Sequence, residues 1–267
     1  MPIEVPAWVA MWTLAASLFV ALKWTSWRRA AIPAAGWRAW GFLLAWPGMD
    51  ARRFMLRRAP RPRVTEWIAA AGKTLLGVFL IWRALPAIPF AWPLAAGWTG
   101  MIGLVFVLHF GVFHLAALAW QSMGVAAEPL MRAPLLATSL ADFWGRRWNL
   151  AFRALAHDLV FRPLARFGAP IATMTAFAAS GLVHDVVLSI PARGGYGRPT
   201  LYFVLQGFAV LLSRRFGLDR GLGGRVFALT LVILPAPLLF HEPFVTGVIL
   251  PFLAALGATP HGEYSWN

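Results

Sequence analysis

The sequence contains no cysteine. That absence removes disulfides, thiolate metal sites and a cysteine nucleophile together. Acidic residues are scarce, 10 against 24 basic ones, and charged residues of both signs make up only 13% of the chain. Lysine is nearly missing, with Lys23 and Lys73 standing among basic residues that are otherwise all arginine. A GC-rich genome produces that bias, which points to a bacterial source. What fills the 267 residues instead is apolar: 60% are hydrophobic, against about 45–50% in globular domains. The mean hydropathy is +0.66. A soluble fold has no interior large enough for that much apolar surface, so a soluble enzyme is excluded.

The formal net charge of +14 does not indicate nucleic acid. The basic residues lie between apolar runs and form no continuous patch with a binding motif. The N-terminal stretch MPIEVPAWVAMWTLAASLFVALKW has no basic residue before its apolar run and no clear small-residue cleavage site. It reads as a retained first span.

A membrane span needs about 20 apolar residues. The runs that qualify are Ala7 to Leu22, Trp67 to Trp82, Trp98 to Trp120, Ala169 to Ile190, Thr200 to Leu212, Val226 to Phe240 and Phe244 to Leu256. Ala39 to Trp46 is too short to cross and has arginine on both sides, so it reads as an interfacial or re-entrant segment that returns the chain to the same face. With that choice the charges sort by side. Lys23 and the arginines from Arg28 to Arg63, Arg132 to Arg166 and Arg214 to Arg225 fall on one face; only Arg83, Arg193 and Arg198 fall opposite, and Lys73 lies in a span. The basic face is cytoplasmic by the positive-inside rule, which puts the N-terminus outside and, after seven crossings, the C-terminus inside.

Between Asp142 and Phe167 the apolar Trp148, Phe152, Leu155 and Leu159 recur at helical spacing, as in a helix lying in the cytoplasmic interface. The expected fold is therefore an all-α polytopic transmembrane helical bundle of about 7–8 membrane segments, one of them re-entrant. A cytoplasmic interfacial amphipathic helix completes it. No internal repeat or low-complexity tract divides the chain, so one domain covers residues 1–267.

Two constellations stand out for chemistry. The first is Ser180-Gly181-Leu182-Val183-His184-Asp185, inside a predicted span. An ionisable residue there costs about 2.5–3.5 kcal/mol when charged, and by default it marks function or a polar cavity. Ser180 and His184 are four apart and share a helix face, whereas Asp185 is turned by about 100° from His184, so no Ser-His-Asp triad follows. The plainer reading is that His184 hydrogen-bonds a neighbouring helix and that Ser180 and Gly181 serve close packing. The second constellation is Asp142-Phe143-Trp144-Gly145-Arg146-Arg147-Trp148-Asn149. Aromatic residues with paired arginines are also ordinary at a membrane interface.

Their order adds more. FWGRRWN followed by SGLVHD, with Trp46-Pro47-Gly48-Met49-Asp50 before them and Leu239-Phe240-His241-Glu242-Pro243-Phe244 after, resembles the membrane-bound O-acyltransferase superfamily, most closely its wax synthase branch. The resemblance implies that His184 is the catalytic histidine and that Asn149 belongs to the active site. It also implies a fatty acyl-CoA donor and a hydroxyl acceptor, commonly a long-chain alcohol. The chain is short for that superfamily.

The chemistry suits these residue types. An alcohol is a poor nucleophile until a base takes its proton, and a histidine can be that base. With no cysteine and no assembled serine-histidine-acid set, direct transfer is simpler than an acyl-enzyme. Asn149 then positions the base or donates to the oxyanion. Arg146 and Arg147 are candidates for the CoA phosphates, in competition with lipid headgroups; Trp148 and Ser180 complete the candidate substrate contacts. His109 and His114 are five apart, about 140° around a helix, so no metal is expected. His157 reads as solvated, and His241 as a structural or entrance residue.

The expectation is thus a multi-pass protein of a bacterial inner membrane. It esterifies a lipophilic alcohol with acyl-CoA as co-substrate and needs no cofactor. Its partners are membrane lipids and the two substrates, without nucleic acid. Two rivals remain. One is acylation of a sterol, terpenoid, diacylglycerol or glycan hydroxyl on the same scaffold. The other is a non-enzymatic lipid carrier or channel in which His184 and Asp185 line a polar path.

Overall fold

The computed structural model describes residues 5–32 and 36–260. The single-domain expectation over 1–267 therefore runs past the described residues at both ends. Among the described residues the architecture is all-helical. Five helices are long and apolar enough to cross a membrane: α1 (Ala7–Ala30), α4 (Val64–Ala87), α5 (Pro93–Ser122), α7 (Ala169–Ala192) and α9 (Gly221–Leu239). Shorter elements stand between them: α2 (Trp37–Ala45), α3 (Ala51–Leu56), α6 (Leu150–Ala156), α8 (Arg198–Arg215) and α10 (Glu242–Ala255). Outward-facing side chains such as Val20, Leu75, Leu182 and Ile233 are exposed. In a multi-pass membrane protein that exposure is contact with lipid.

At the arginine-rich end, the Lys23 ammonium donates to the Trp46 carbonyl at 2.7 Å and to the Gly48 carbonyl, and it lies 3.4 Å from the centre of the Phe42 ring. Lys23 is buried, so its charge is compensated by the carbonyls of the very segment it holds. Ser26 donates to the Met49 carbonyl, Arg38 to that of Met55, and Glu128 pairs with both Arg53 and Arg132. Trp27, Phe42, Trp46, Phe54 and Leu155 form the apolar core beneath.

Three expectations change in the structure. The run expected as a seventh crossing does not cross. Phe252 of α10 packs on Trp8 and Trp12 at the start of α1, and Trp82 near the end of α4 donates to the Leu256 carbonyl at 3.1 Å. At its start Pro243 lies against Gly194, just beyond the end of α7, so both ends of α10 lie at the arginine-poor end. Fourteen residues span only about 21 Å at 1.5 Å each, short of the roughly 30 Å of hydrocarbon.

Secondly, α8 bears Arg198 at one end, Arg214 and Arg215 at the other and a fully buried Gln206 between, so it meets the expected fifth crossing, Thr200 to Leu212, in place but not in apolarity. Thirdly, the helix expected over Asp142 to Phe167 is broken at Trp148 and Asn149. The buried positions of α6 are Ala151 and Leu155, while Phe152 is exposed. The re-entrant reading of Ala39 to Trp46 corresponds to α2, a nine-residue helix followed by extended chain at Trp46.

Candidate functional site

His184 closes the regular part of α7, and the backbone from Asp185 to Ser189 then winds as a π turn. Such turns within α-helices recur at functional sites. At 1.5 Å per residue His184 lies about 22 Å from the Ala169 end of the helix and about 12 Å from the Ala192 end. It is half-buried. Its Nδ1 sits 2.7 Å from the Ser180 carbonyl oxygen. A carbonyl only accepts, so Nδ1 carries the proton and Nε2 keeps its lone pair. The Phe203 ring packs against the imidazole, centre to centre at 4.5 Å.

Asp185 faces elsewhere. One carboxylate oxygen accepts from the Gly197 N–H at 2.8 Å and the Ser189 hydroxyl at 3.0 Å. The other accepts from the Thr200 N–H at 3.0 Å and from the Thr200 hydroxyl. The carboxylate thus caps the first turn of α8, where N–H groups lack partners within the helix. On the neighbouring turn of α7, Gly181 lets the two helices touch, because a Cβ there would lie 2.6 Å from Thr200 Cα.

The chain of polar groups continues to His241, which is buried with Ser189. The Phe244 N–H donates to His241 Nδ1 at 3.2 Å, which leaves Nε2 as the protonated nitrogen. That Nε2–H donates to Ser189 Oγ at 3.1 Å, and Ser189 passes its own proton toward Asp185. Burial pushes the His241 imidazole below its ordinary value, and the charge of Arg198 adds to the effect against the opposing pull of Asp185. Gly195, at φ +73°, lies so close that a Cβ would fall 2.4 Å from the ring. Both ring nitrogens of His241 are thus engaged by protein partners.

The aromatic-arginine segment reaches further in than an interfacial motif would. Leu140 packs with Ala209, Val210 and Ala228 in the bundle. Trp144 donates to the Gln206 side-chain oxygen at 3.2 Å, and its ring meets Phe177 at 5.9 Å and Phe203 at 5.6 Å. Phe203 thereby touches both Trp144 and His184. Trp144 and Phe203, which sequence reasoning did not single out, carry the contact between the two motifs. Trp144 was visible within its motif, but Phe203 sits in an apolar run with nothing to mark it.

Asn149 adopts a left-handed backbone, φ +42°, which asparagine tolerates better than most residues. Its side-chain oxygen caps α6 by accepting from the Phe152 N–H at 3.5 Å, and its backbone N–H meets Met131 Sδ. Among the described residues, His184 bonds to Ser180 and packs on Phe203; Asn149 makes neither contact. The Ser180 hydroxyl donates back to the Ala176 carbonyl, so Ser180 serves His184 through its backbone. Trp148 stacks on Phe143.

The paired arginines divide their work. Arg147 bonds to Asp142 at 2.6 Å and to the Ala133 carbonyl at 3.2 Å, whereas Arg146 is 78% exposed and lies 3.4 Å from Asp142. Burial pushes the Asp142 carboxyl up, but hydrogen bonds from Arg147 and Thr138 and the charges of both arginines outweigh it and hold it below the usual carboxylate range. Arg146 also lines a cavity of about 260 Å³ at the arginine-rich end, shared with Trp46, Gly48, Arg132 and Arg153. Among the described residues no three histidine or acidic side chains gather as a metal site would need.

Residues 127–206 match the family described as "Membrane bound O-acyl transferase family". Similar proteins include "Probable long-chain-alcohol O-fatty-acyltransferase 7" of Arabidopsis thaliana, 37% identical over 95 residues, which are 32% of this chain and 28% of that protein. "Probable long-chain-alcohol O-fatty-acyltransferase 1" of the same plant is 31% identical over 165 residues, 56% of this chain and 46% of its own length. "Acyl-CoA--sterol O-acyltransferase 1", also of Arabidopsis thaliana, is 28% identical over 182 residues, 59% of this chain and 51% of its own. The chain spans about half the length of these relatives or less. The resemblance to the membrane-bound O-acyltransferases is borne out over residues 127–206, which hold Trp144, Asn149, His184 and Phe203, and the names of the similar proteins agree with the wax synthase-like branch.

Proposed function

We propose that this chain is an acyl-CoA-dependent O-acyltransferase that transfers a fatty acyl group to the hydroxyl of a lipophilic long-chain alcohol, giving a wax-type ester. The observation that carries the reading is the tautomer of His184: with Nδ1–H committed to the Ser180 carbonyl, Nε2 has no hydrogen-bond partner among the described residues and is available as a base inside the segment that matches the family. In the triad design a carboxylate orients the base; here a backbone carbonyl does so. A bacterial inner membrane is proposed as the location on the arginine bias of the sequence.

The transfer balances without an acyl-enzyme. Nε2 removes the alcohol proton as the oxygen attacks the thioester carbonyl. The tetrahedral oxyanion accepts a hydrogen bond from the Asn149 amide nitrogen, the group left over once the amide oxygen caps α6. Collapse expels the CoA thiolate, which takes the proton back from Nε2 and leaves as the thiol. Arg146, an exposed side chain lining the cavity, meets the CoA phosphates; Arg147, bonded to Asp142, supports the segment.

The test is ester formation from labelled acyl-CoA in membranes carrying the wild type, His184→Ala or Asn149→Ala, with a panel of acceptors. Loss in both variants is expected, and undiminished synthesis in His184→Ala overturns the mechanism. A sterol acceptor is the second reading, favoured by the sterol acyltransferase among the relatives. Preferential labelling of a sterol over a long-chain alcohol would select it.

A further inference from the structure

We infer that Asp185 is a positioning residue for His184, acting through α8 rather than by direct contact; the inference rests on the acyltransferase reading above. The carboxylate has four donors, from Ser189, Gly197 and Thr200, two on each oxygen. That accounts for the capacity of both oxygens without His184. Two of those donors are N–H groups at the start of α8 and a third is the Thr200 hydroxyl. The carboxylate therefore ties the beginning of α8 to the π turn of α7 directly after the base.

Three residues past Thr200 stands Phe203, on the turn held by this latch. Its ring is the surface on which the imidazole rests, 4.5 Å between centres. Among the described residues the imidazole has one hydrogen bond, to Ser180, so rotation about that bond is limited by packing against Phe203. The close contact of Gly181 with Thr200 sets the distance between the helices, and the Asp185 latch sets their register. Ser189 and His241 brace the carboxylate from the other side. Moving the Thr200 turn moves Phe203, and the Nε2 lone pair turns away from the attacking hydroxyl.

The experiment is a double-mutant cycle on ester formation, with rates normalised to folded protein measured by size exclusion in detergent. Asp185→Asn keeps the shape but replaces an acceptor by a donor facing donors. It is expected to lower kcat on the order of 10²-fold, the usual cost of misplacing a reacting group by about 1 Å, with KM for the acyl donor unchanged and the acid limb of the pH profile in place. Phe203→Ala lowers kcat too, and the double variant falls no further than the worse single one. Thr200→Val, which removes one hydroxyl donor at constant shape, shows the same pattern at a few-fold and serves where Asp185→Asn does not fold.

Losses that multiply in the double variant overturn the inference, as does a shifted acid limb, which would make Asp185 a charge partner of His184. Should the wild type form no ester at all, the acyltransferase reading falls by itself. The latch is then read from the rate at which diethyl pyrocarbonate modifies His184, mapped by mass spectrometry. Asp185→Asn changes that rate several-fold if the latch holds, and an unchanged rate removes it.

Discussion

His184 and His241 lie on either side of the Asp185 to Ser189 turn, His241 bonded into its polar network and His184 outside it, and they differ in what their ring nitrogens have left to offer. His241 is buried and uses both: Nδ1 accepts from the Phe244 N–H and Nε2 donates to Ser189. Among the described residues His184, half-buried, uses one, donating from Nδ1 to a backbone carbonyl. The less exposed histidine is the one with nothing to give. Burial by itself therefore does not mark a base; an inventory of donors and acceptors does.

The largest effect that would break this comparison comes from His184→Ala. Removing a general base costs about 10²–10⁴-fold in rate, so ester formation should fall by that order while the melting temperature in detergent stays near that of the wild type. His241→Ala should behave in the opposite way. It strips the cap from Phe244 and leaves the Ser189 hydroxyl short of a donor, at about 1–3 kcal/mol. Thermal unfolding should register that loss, with activity per folded molecule much less affected.

Acid sharpens the same contrast. His241 is held neutral below its ordinary value, 6.5, and the unfolded chain binds the proton more readily. Stability is therefore full above that value and declines as pH falls below it. Protonating Nδ1 also ends the bond from Phe244. Melting followed from pH 7.5 to 5.5 (on the order of two units around a histidine) should show the decline, with a shallower slope in His241→Ala.

The smallest effects separate the paired arginines. Arg147→Ala should cost about 1 kcal/mol by leaving Asp142 with fewer partners, seen as lower melting. Arg146→Ala, at an exposed position, should leave stability within about 0.5 kcal/mol and instead raise KM for acyl-CoA by a few-fold, more at low salt than at high.

The crossing helices were legible because composition and run length carry them: α1, α4, α5, α7 and α9 are each apolar over a span's length. So was the suspicion of His184, since an ionisable group in a span is expensive wherever its partners are. The dip of Trp144 into the bundle was not legible, because it depends on Gln206, Phe177 and Phe203, which are distant in sequence. Nor was the path of α10, whose apolar run looks like a crossing until its length and the Trp82 bond at its end are known. Trp148 and Phe152 fit a helical stripe by spacing, yet the left-handed backbone at Asn149 breaks the helix between them. Spacing describes a regular helix and is silent on where one stops.

The most direct measurement is the reactivity of the two histidines toward diethyl pyrocarbonate in the same folded sample, site by site by mass spectrometry. The account predicts that His184 is modified, that acyl-CoA slows its modification, and that His241 reacts only once the protein unfolds. Modification of His241 ahead of His184 would contradict the assignment of the free base.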